Sequence, residues 1–376
     1  MSQGIDVAAV REQFPVTGRW AWLNTATYGP PPRPVVAAQT AFLQSSAEGR
    51  VPEGVGDWWE GAQGVRERVG RLIGAGADDI AFLKSTGEGI GLVALGLDWR
   101  PGDEVVSYDH EFPSGVYPWL AVGGRGVKVR FVRDRGRCRF DVGDVEALLT
   151  PRTRVVSLSL VNFVHGFRAP IEELARLCRE RGIWLVVDAV QAAGALRIDV
   201  GRLGAHLVSA HGYKSLCAGY GISLCYVSPE LRKALEVPAP GWKSMEDVTD
   251  VSSQLDYRLE YATGARRYES GVPNLAGMYG LGASAELFWN LGVEEVEERV
   301  LQLADQVATR LEARGYRILS SRAEGERSGI VSVDRDGWDL PRINTELRGR
   351  NVACAIRRGA YGCRCTASTT QPTSSG

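Results

Sequence analysis

Between residues 80 and 227 the chain repeats one pattern: a short apolar run rich in β-branched residues, then a stretch with apolar residues at helical spacing. Strands are expected at "DIAFLKS", "GDEVVSYDHE", "GVKVRFV", "TRVVSLSLV", "IWLVVDAV", "HLVSA" and "GISLCYV". Helices are expected at "GEGIGLVALGLDW", "GVYPWLAVGG" and "IEELARLCRERG", the last stopped by glycine. Uninterrupted apolar strands alternating with helices fit only a sheet buried on both faces. The expected fold class is therefore α/β, with a mostly parallel seven-stranded sheet in a large domain. Past Pro240 the pattern changes to longer helices and two short strands, "YRILSS" and "GIVSVD", which read as a smaller α+β C-terminal domain. The expected division is an N-terminal arm over 1–24, a large domain over 25–243, a small domain over 244–360 and a tail over 361–376. The tail is rich in Ser, Thr, Gly and Cys without apolar periodicity, and it reads as disordered.

Ligands of such sheets bind at the carboxyl ends of the strands. Two polar residues stand there. Asp188 closes "WLVVD", directly behind apolar residues, and a buried carboxylate wants a partner. Lys214 follows "HLVSA" and is backed by the glycines of "AGYG". A third element, "FLKSTGEGI", places Thr86 and Gly87 between a strand and a helix. Hydroxyl, glycine and helix N–H groups together make an anion site. "GEGIG" lacks the G-x-G-x-x-G spacing of a dinucleotide fold, which argues against a nicotinamide oxidoreductase.

Composition narrows the rest. A net charge of −1 gives no electrostatic case for nucleic acid or an anionic membrane. The opening "MSQGIDVAAVREQFP" has no basic segment followed by an apolar one, and no apolar run is long enough to span a bilayer, so a cytoplasmic location is expected. The seven cysteines include no CxxC pair, so no metal is expected. An anion site without a nucleotide fingerprint, an acid behind a strand and a lysine backed by glycines together suggest pyridoxal phosphate (PLP). The lysine would form the Schiff base, the aspartate would keep the pyridine nitrogen protonated, and the helix N-terminus would hold the phosphate.

The segments "STGEGI", "EFPS", "VVDAVQAAG", "HGYK" and "RRYESGVPN" resemble those of the class V aminotransferase group of fold type I PLP-dependent enzymes. That group includes cysteine desulfurases, isopenicillin N epimerase-like proteins and kynureninase. The resemblance runs from "WLNTATYGPPPRPV" to about "AIRRGA". It implies a PLP enzyme working at the α-carbon of an amino acid or amine, by transamination or by β-elimination of the C–S lyase type. Epimerisation and desulfurase-like activity are the alternatives. A catalytically impaired PLP-fold dimer acting as a binding protein, because of the altered C-terminus, is the reading from another class. Carried over by position, Lys214 is the Schiff-base lysine and Asp188 the pyridinium partner. Gln191 reaches the ring hydroxyl. Thr86, Gly87, His211 and Tyr213 contact phosphate. Phe112 stacks on the ring, and Asn24 and Thr27 line the substrate mouth. A homodimer with shared active sites is also implied. Taken singly, Phe112 could be core, Gln191 a helix cap, and His211 and Tyr213 supporting groups; their joint spacing favours the functional reading.

The chain departs from the group at three places. Phe163, beside Asn162 in "LVNFVHG", stands where asparagine is frequent, and Val272 in "ESGVPN" stands where threonine is frequent. After Ala360 the sequence loses the strand that carries a carboxylate-gripping arginine in the group, leaving Arg357, Arg358 and Arg364 as candidates. The same codons read in the neighbouring frame allow an ending close to that of the group, so a frameshift after Ala360 is expected, and the coding DNA tests it. Cys354, in the apolar "NVACAIRRG", reads as a buried hydrophobe rather than a mobile sulfur acceptor.

Overall fold

The computed structural model describes residues 5–50, 55–246, 255, 257–357 and 360–364. Its strands in chain order are β1 (Ala21–Trp22), β2 (Ile80–Leu83), β3 (Glu104–Tyr108), β4 (Lys128–Val132), β5 (Thr153–Ser159), β6 (Trp184–Asp188), β7 (Leu207–His211), β8 (Ser223–Val227), β9 (Arg317–Ile318), β10 (Ile330–Asp334), β11 (Val352–Ala353), β12 (Ala355–Arg357) and β13 (Ala360–Arg364). Seven of them form one sheet in the order β2-β8-β7-β6-β5-β3-β4. Only β8 runs antiparallel to its neighbours; β7, β6, β5, β3 and β4 pair in parallel. Six of the seven expected runs contain one of these strands whole, and β7 runs one residue past "HLVSA" to His211.

Alternation along the strands explains why the runs are apolar throughout. Val155 and Val186 pack into one cluster with Ile90, Val93 and Trp119. Their neighbours Val156, Leu158, Leu185 and Val187 face the other side, with Val65, Val69, Leu174 and Leu281. Both faces are covered, so neither can be polar. Helix Leu275–Leu291 packs against both Arg33–Ala47 and Val55–Ile73. The expected helix at "GVYPWLAVGG" shortens to Tyr117–Ala121, because Pro118 suits only a first turn and Gly123 and Gly124 end it.

A four-stranded antiparallel sheet, β12-β13-β10-β9, lies on helix Val293–Glu312 through Val331, Val333, Leu303, Ala304 and Ala308. Here one expectation is corrected. Residues 361–364 belong to β13, which pairs with β10 and β12, and are not disordered. Main-chain N–H and C=O groups make that ladder, so a composition poor in apolar residues does not forbid it. Residues 365–376 lie outside the described residues. A parallel pair, β1 with β11, joins residues 21–22 to 352–353. Among the described residues no helix is long and apolar enough to cross a membrane.

One buried ion pair ties these parts together. Arg66 Nη2 donates to Glu269 Oε1 at 2.6 Å, and the same oxygen accepts from the Phe82 N–H at 2.8 Å. Both side chains are almost fully buried, at 3% and 2% exposure. Removing one partner strands the other charge. Glu269→Ala is therefore expected to cost about 3–5 kcal/mol, read as a lowered urea midpoint. An unchanged midpoint would show that Arg66 finds another acceptor.

Candidate active site

The sequence candidates converge at the carboxyl ends of β5, β6 and β7. Asp188 is the last residue of β6, in register with Ser159 of β5 and Ser209 of β7. It is 4% exposed. Its Oδ1 accepts from the Val190 N–H at 2.8 Å. Burial pushes its carboxyl up to about 6, against the Val190 N–H and the charge of Lys214, which both favour the anion. Lys214 lies three residues past β7 and is also buried. Its Nζ sits 5.3 Å from the centroid of the Phe112 ring and 5.7 Å from that of Tyr213.

Thr86 opens helix Thr86–Gly96, whose N-cap Ser85 accepts from the Glu88 N–H. Glu88 in turn accepts from the Lys84 N–H, which fixes the strand-to-helix turn. The Thr86 hydroxyl accepts from the His211 N–H at 3.1 Å, joining the helix start to the end of β7. Gly87 lies in the first turn, facing Ser114. His211 Nδ1 accepts from the Tyr213 N–H at 3.3 Å. Burial and the Lys214 charge push the imidazole down to about 4, so it is neutral at pH 7. The hydrogen bond at Nδ1 orients the start of the Tyr213–Lys214 turn.

Gln191 is buried, and its Nε2 donates to the carbonyl of Ala26 at 3.0 Å, holding the loop that carries Asn24 and Thr27. The Asn24 carbonyl accepts from the N–H groups of Thr27 and Tyr28. Asn24 Oδ1 is buried without a hydrogen-bond partner among the described residues, while Thr27 is exposed. That loop meets the lysine turn directly: the Gly29 N–H donates to the Tyr213 carbonyl at 2.8 Å, and a Cβ at Gly29 would collide with the Lys214 carbonyl. Asn162 is consumed by its own loop, donating to the His110 carbonyl and accepting from the Val164 N–H. Phe163 instead sets its ring edge-on to Phe112 at 5.2 Å. The side chains of Arg357, Arg358 and Arg364 lie outside the described residues.

Two features escaped the sequence reading. Tyr220 stacks between Tyr28 at 5.2 Å and Tyr213 at 5.3 Å. Gly219 and Gly221 flank it at φ +87° and +72°, a left-handed backbone that explains the glycines behind the lysine. The second is Glu111, whose carboxylate binds Ser159. Its position next to Phe112 in "EFPS" was the available signal.

The residues present fit PLP. A buried acid keeps one oxygen without a described donor, a buried lysine faces an aromatic ring, and a capped helix start carries a hydroxyl. Cys354 packs against the cluster of Leu303 and Val331, and burial pushes its thiol up to about 11. Cys138, Cys178, Cys217 and Cys225 are buried.

The chain is similar to proteins of one family over nearly all its length. The family model described as Aminotransferase class-V matches residues 22–374. A probable cysteine desulfurase of Methanothermobacter thermautotrophicus is 30% identical over 363 residues, covering 92% of this chain and 88% of its own. One from Streptomyces coelicolor is 28% identical, covering 87% and 82%. In fold, the apo cysteine desulfurase of Thermococcus onnurineus matches with a TM-score of 0.87 at 24% identity, covering 98% of this chain and 95% of that one. The cystine C–S lyase C-DES, bound to cysteine persulfide, matches with a TM-score of 0.87 at 21% identity, covering 95% and 96%. With the match spanning both the lysine turn and the acid at the end of β6, the chain belongs to the aminotransferase class-V family and is a PLP-dependent enzyme acting on an amino acid.

Proposed function

We propose that the chain breaks the bond between the β-carbon and sulfur of a cysteine-type amino acid, releasing the sulfur instead of passing it to a protein thiol. The names of its relatives support the substrate class. The state of Cys354 carries the second half: a thiol held protonated at neutral pH and packed in an apolar cluster is a poor sulfur acceptor. When bound, PLP supplies an electron sink that acidifies the α-carbon.

The chain's residues supply the rest. Lys214 would anchor the cofactor and, when released, take the α-proton at Nζ. Asp188 would accept a hydrogen bond from the pyridine nitrogen and keep it charged. Thr86 and the N–H groups of Gly87 and its helix would hold the phosphate. Phe112 would cover one face of the ring. Gln191 would steady the Ala26 loop, where Asn24 and Thr27 meet substrate. His211 would orient Tyr213. We also read the chain as a cytoplasmic homodimer with an N-terminal arm over 1–24, a large domain over 25–243 and a small domain from 244 that includes β13; the exposed Leu255, Tyr257, Leu259 and Val272 support a covered face. With both Lys214 and Asp188 buried at the site, nothing favours the impaired binding protein.

The test is the product. Purified protein with PLP and L-cysteine or L-cystine should yield pyruvate and ammonia with sulfide or persulfide. Alanine with a protein-bound persulfide would overturn the reading. Cys354→Ala is expected to keep turnover within about twofold, since the small change at this half-buried position touches no proposed contact. A loss of a hundredfold or more would assign Cys354 to the chemistry.

A further inference from the structure

We infer that Glu111 is the positioning residue of the site, fixing the Phe112 ring by hanging its loop on the end of β5. The inference rests on the cofactor reading above. Glu111 lies in the loop after β3, with its N–H on the Tyr108 carbonyl at 3.2 Å. Its Oε1 accepts from the Ser159 N–H at 2.7 Å, and its Oε2 accepts from the Ser159 hydroxyl. Two donors from the last residue of β5 thus converge on the side chain of the residue that directly precedes Phe112, whose ring faces Lys214.

Ser159 is itself in register with Asp188. The carboxylate therefore locks Phe112 to the same strand ends that carry the acid of the site. No regular ladder could do this. Phe112 lies beyond the end of β3, and the Glu111 side chain, reaching 48 positions along the chain, joins its loop to β5. The ring itself has one further support, its edge-on contact with Phe163. Electrostatics agree with a supporting role. Burial, with the charge of Asp188 adding to it, pushes Glu111 up to about 7 against the Ser159 donors that favour the anion. Glu111 can then share its site with Asp188 without two full negative charges side by side. With both Ser159 groups on its oxygens, Glu111 acts on the cofactor through its neighbour Phe112 and not by contact.

The experiment uses the full chain with PLP and reads three quantities for each variant: the PLP dissociation constant, the visible circular dichroism per unit absorbance of bound PLP, and the unfolding midpoint without PLP. Phe112→Ala is expected to weaken PLP binding about 3- to 10-fold, the scale of one aromatic contact, and to diminish the dichroism. Glu111→Ala should do the same, and the double variant should lose no more than either single one. Glu111→Gln keeps an acceptor for the Ser159 N–H and offers a donor to its hydroxyl, so it should restore binding and dichroism. Additive losses in the double variant, or a Glu111→Gln as impaired as Glu111→Ala, would overturn the inference. If Glu111→Ala does not fold, Ser159→Ala replaces it in the same cycle with the same criterion. A wild-type protein with no visible band from bound PLP would overturn the cofactor reading and this inference together; a normal wild-type band with additive losses would sink this inference alone.

Discussion

Lys214→Ala is expected to lower kcat on the order of 10^4-fold or more and to abolish the yellow, borohydride-reducible adduct with PLP. General base catalysis alone contributes about 10^2- to 10^4-fold, and this substitution also removes the covalent anchor. The environment makes the assignment specific. Lys214 is 5% exposed, its Nζ faces the rings of Phe112 and Tyr213, and its charge is felt by Asp188 and His211. Among the described residues no other lysine has these recorded contacts: Lys243, also buried, lies over Trp242 and feels the charges of Glu269 and Arg66. Lys214→Arg separates the two roles. It keeps a cation near Asp188 but offers no amine to the cofactor, so it should retain folding and lose turnover as fully as alanine. The checks are the absorption spectrum before and after borohydride, and steady-state product formation. A reducible adduct persisting in Lys214→Ala would move the anchor to another lysine and sink the reading of this site.

What could be read in the sequence follows physical range. The strands were legible because burial on both faces writes itself into every residue of a run: Val155, Val156, Leu185 and Val186 have no freedom to be polar. The antiparallel direction of β8 was not, since "GISLCYV" is apolar read either way. Direction is set by the short connection from His211 to Ser223, which has no room for a crossover helix. Asp188 and Lys214 stood out because they break the apolar pattern. Glu111 did not. Nothing around it in the sequence announces burial, and its partner Ser159 is brought over it only by the β3–β5 pairing. The tail shows the opposite error. Composition spoke against structure after Ala360, yet β13 forms on backbone hydrogen bonds supplied by β10 and β12. Gln191 and His211 stand out in the sequence only by their place beside Asp188 and Lys214; their hydrogen bonds to the Ala26 carbonyl and the Tyr213 N–H could not be read there, because they depend on how the loops pack.

Asp188→Asn should make the protein more stable without PLP while costing on the order of 10^3-fold in turnover, about the loss expected when one preorganised electrostatic partner is removed. Burial has raised the folded-state carboxyl from 3.8 to about 6. The folded protein therefore holds this proton more tightly than the unfolded chain does. The penalty is absent below about pH 4, grows as pH rises from there to 6, and is fully present at pH 7. A shift of this size is worth about 3 kcal/mol at about 1.4 kcal/mol per unit. Asparagine escapes it and still accepts from the Val190 N–H. Its new N–H groups need partners, which trims the gain to about 1–3 kcal/mol. Unfolding curves without PLP at pH 7 and pH 4 check the sign, since the variant's advantage should be present at the first and vanish at the second. An Asp188→Asn protein no more stable at pH 7, or equally favoured at both, would mean that the carboxylate is compensated where it stands. PLP should stabilise the wild type more than the variant, because only a carboxylate can pair with a protonated ring nitrogen. The strain of an uncompensated buried acid is then what the cofactor relieves, and the site keeps Asp188 for binding at the expense of the empty fold.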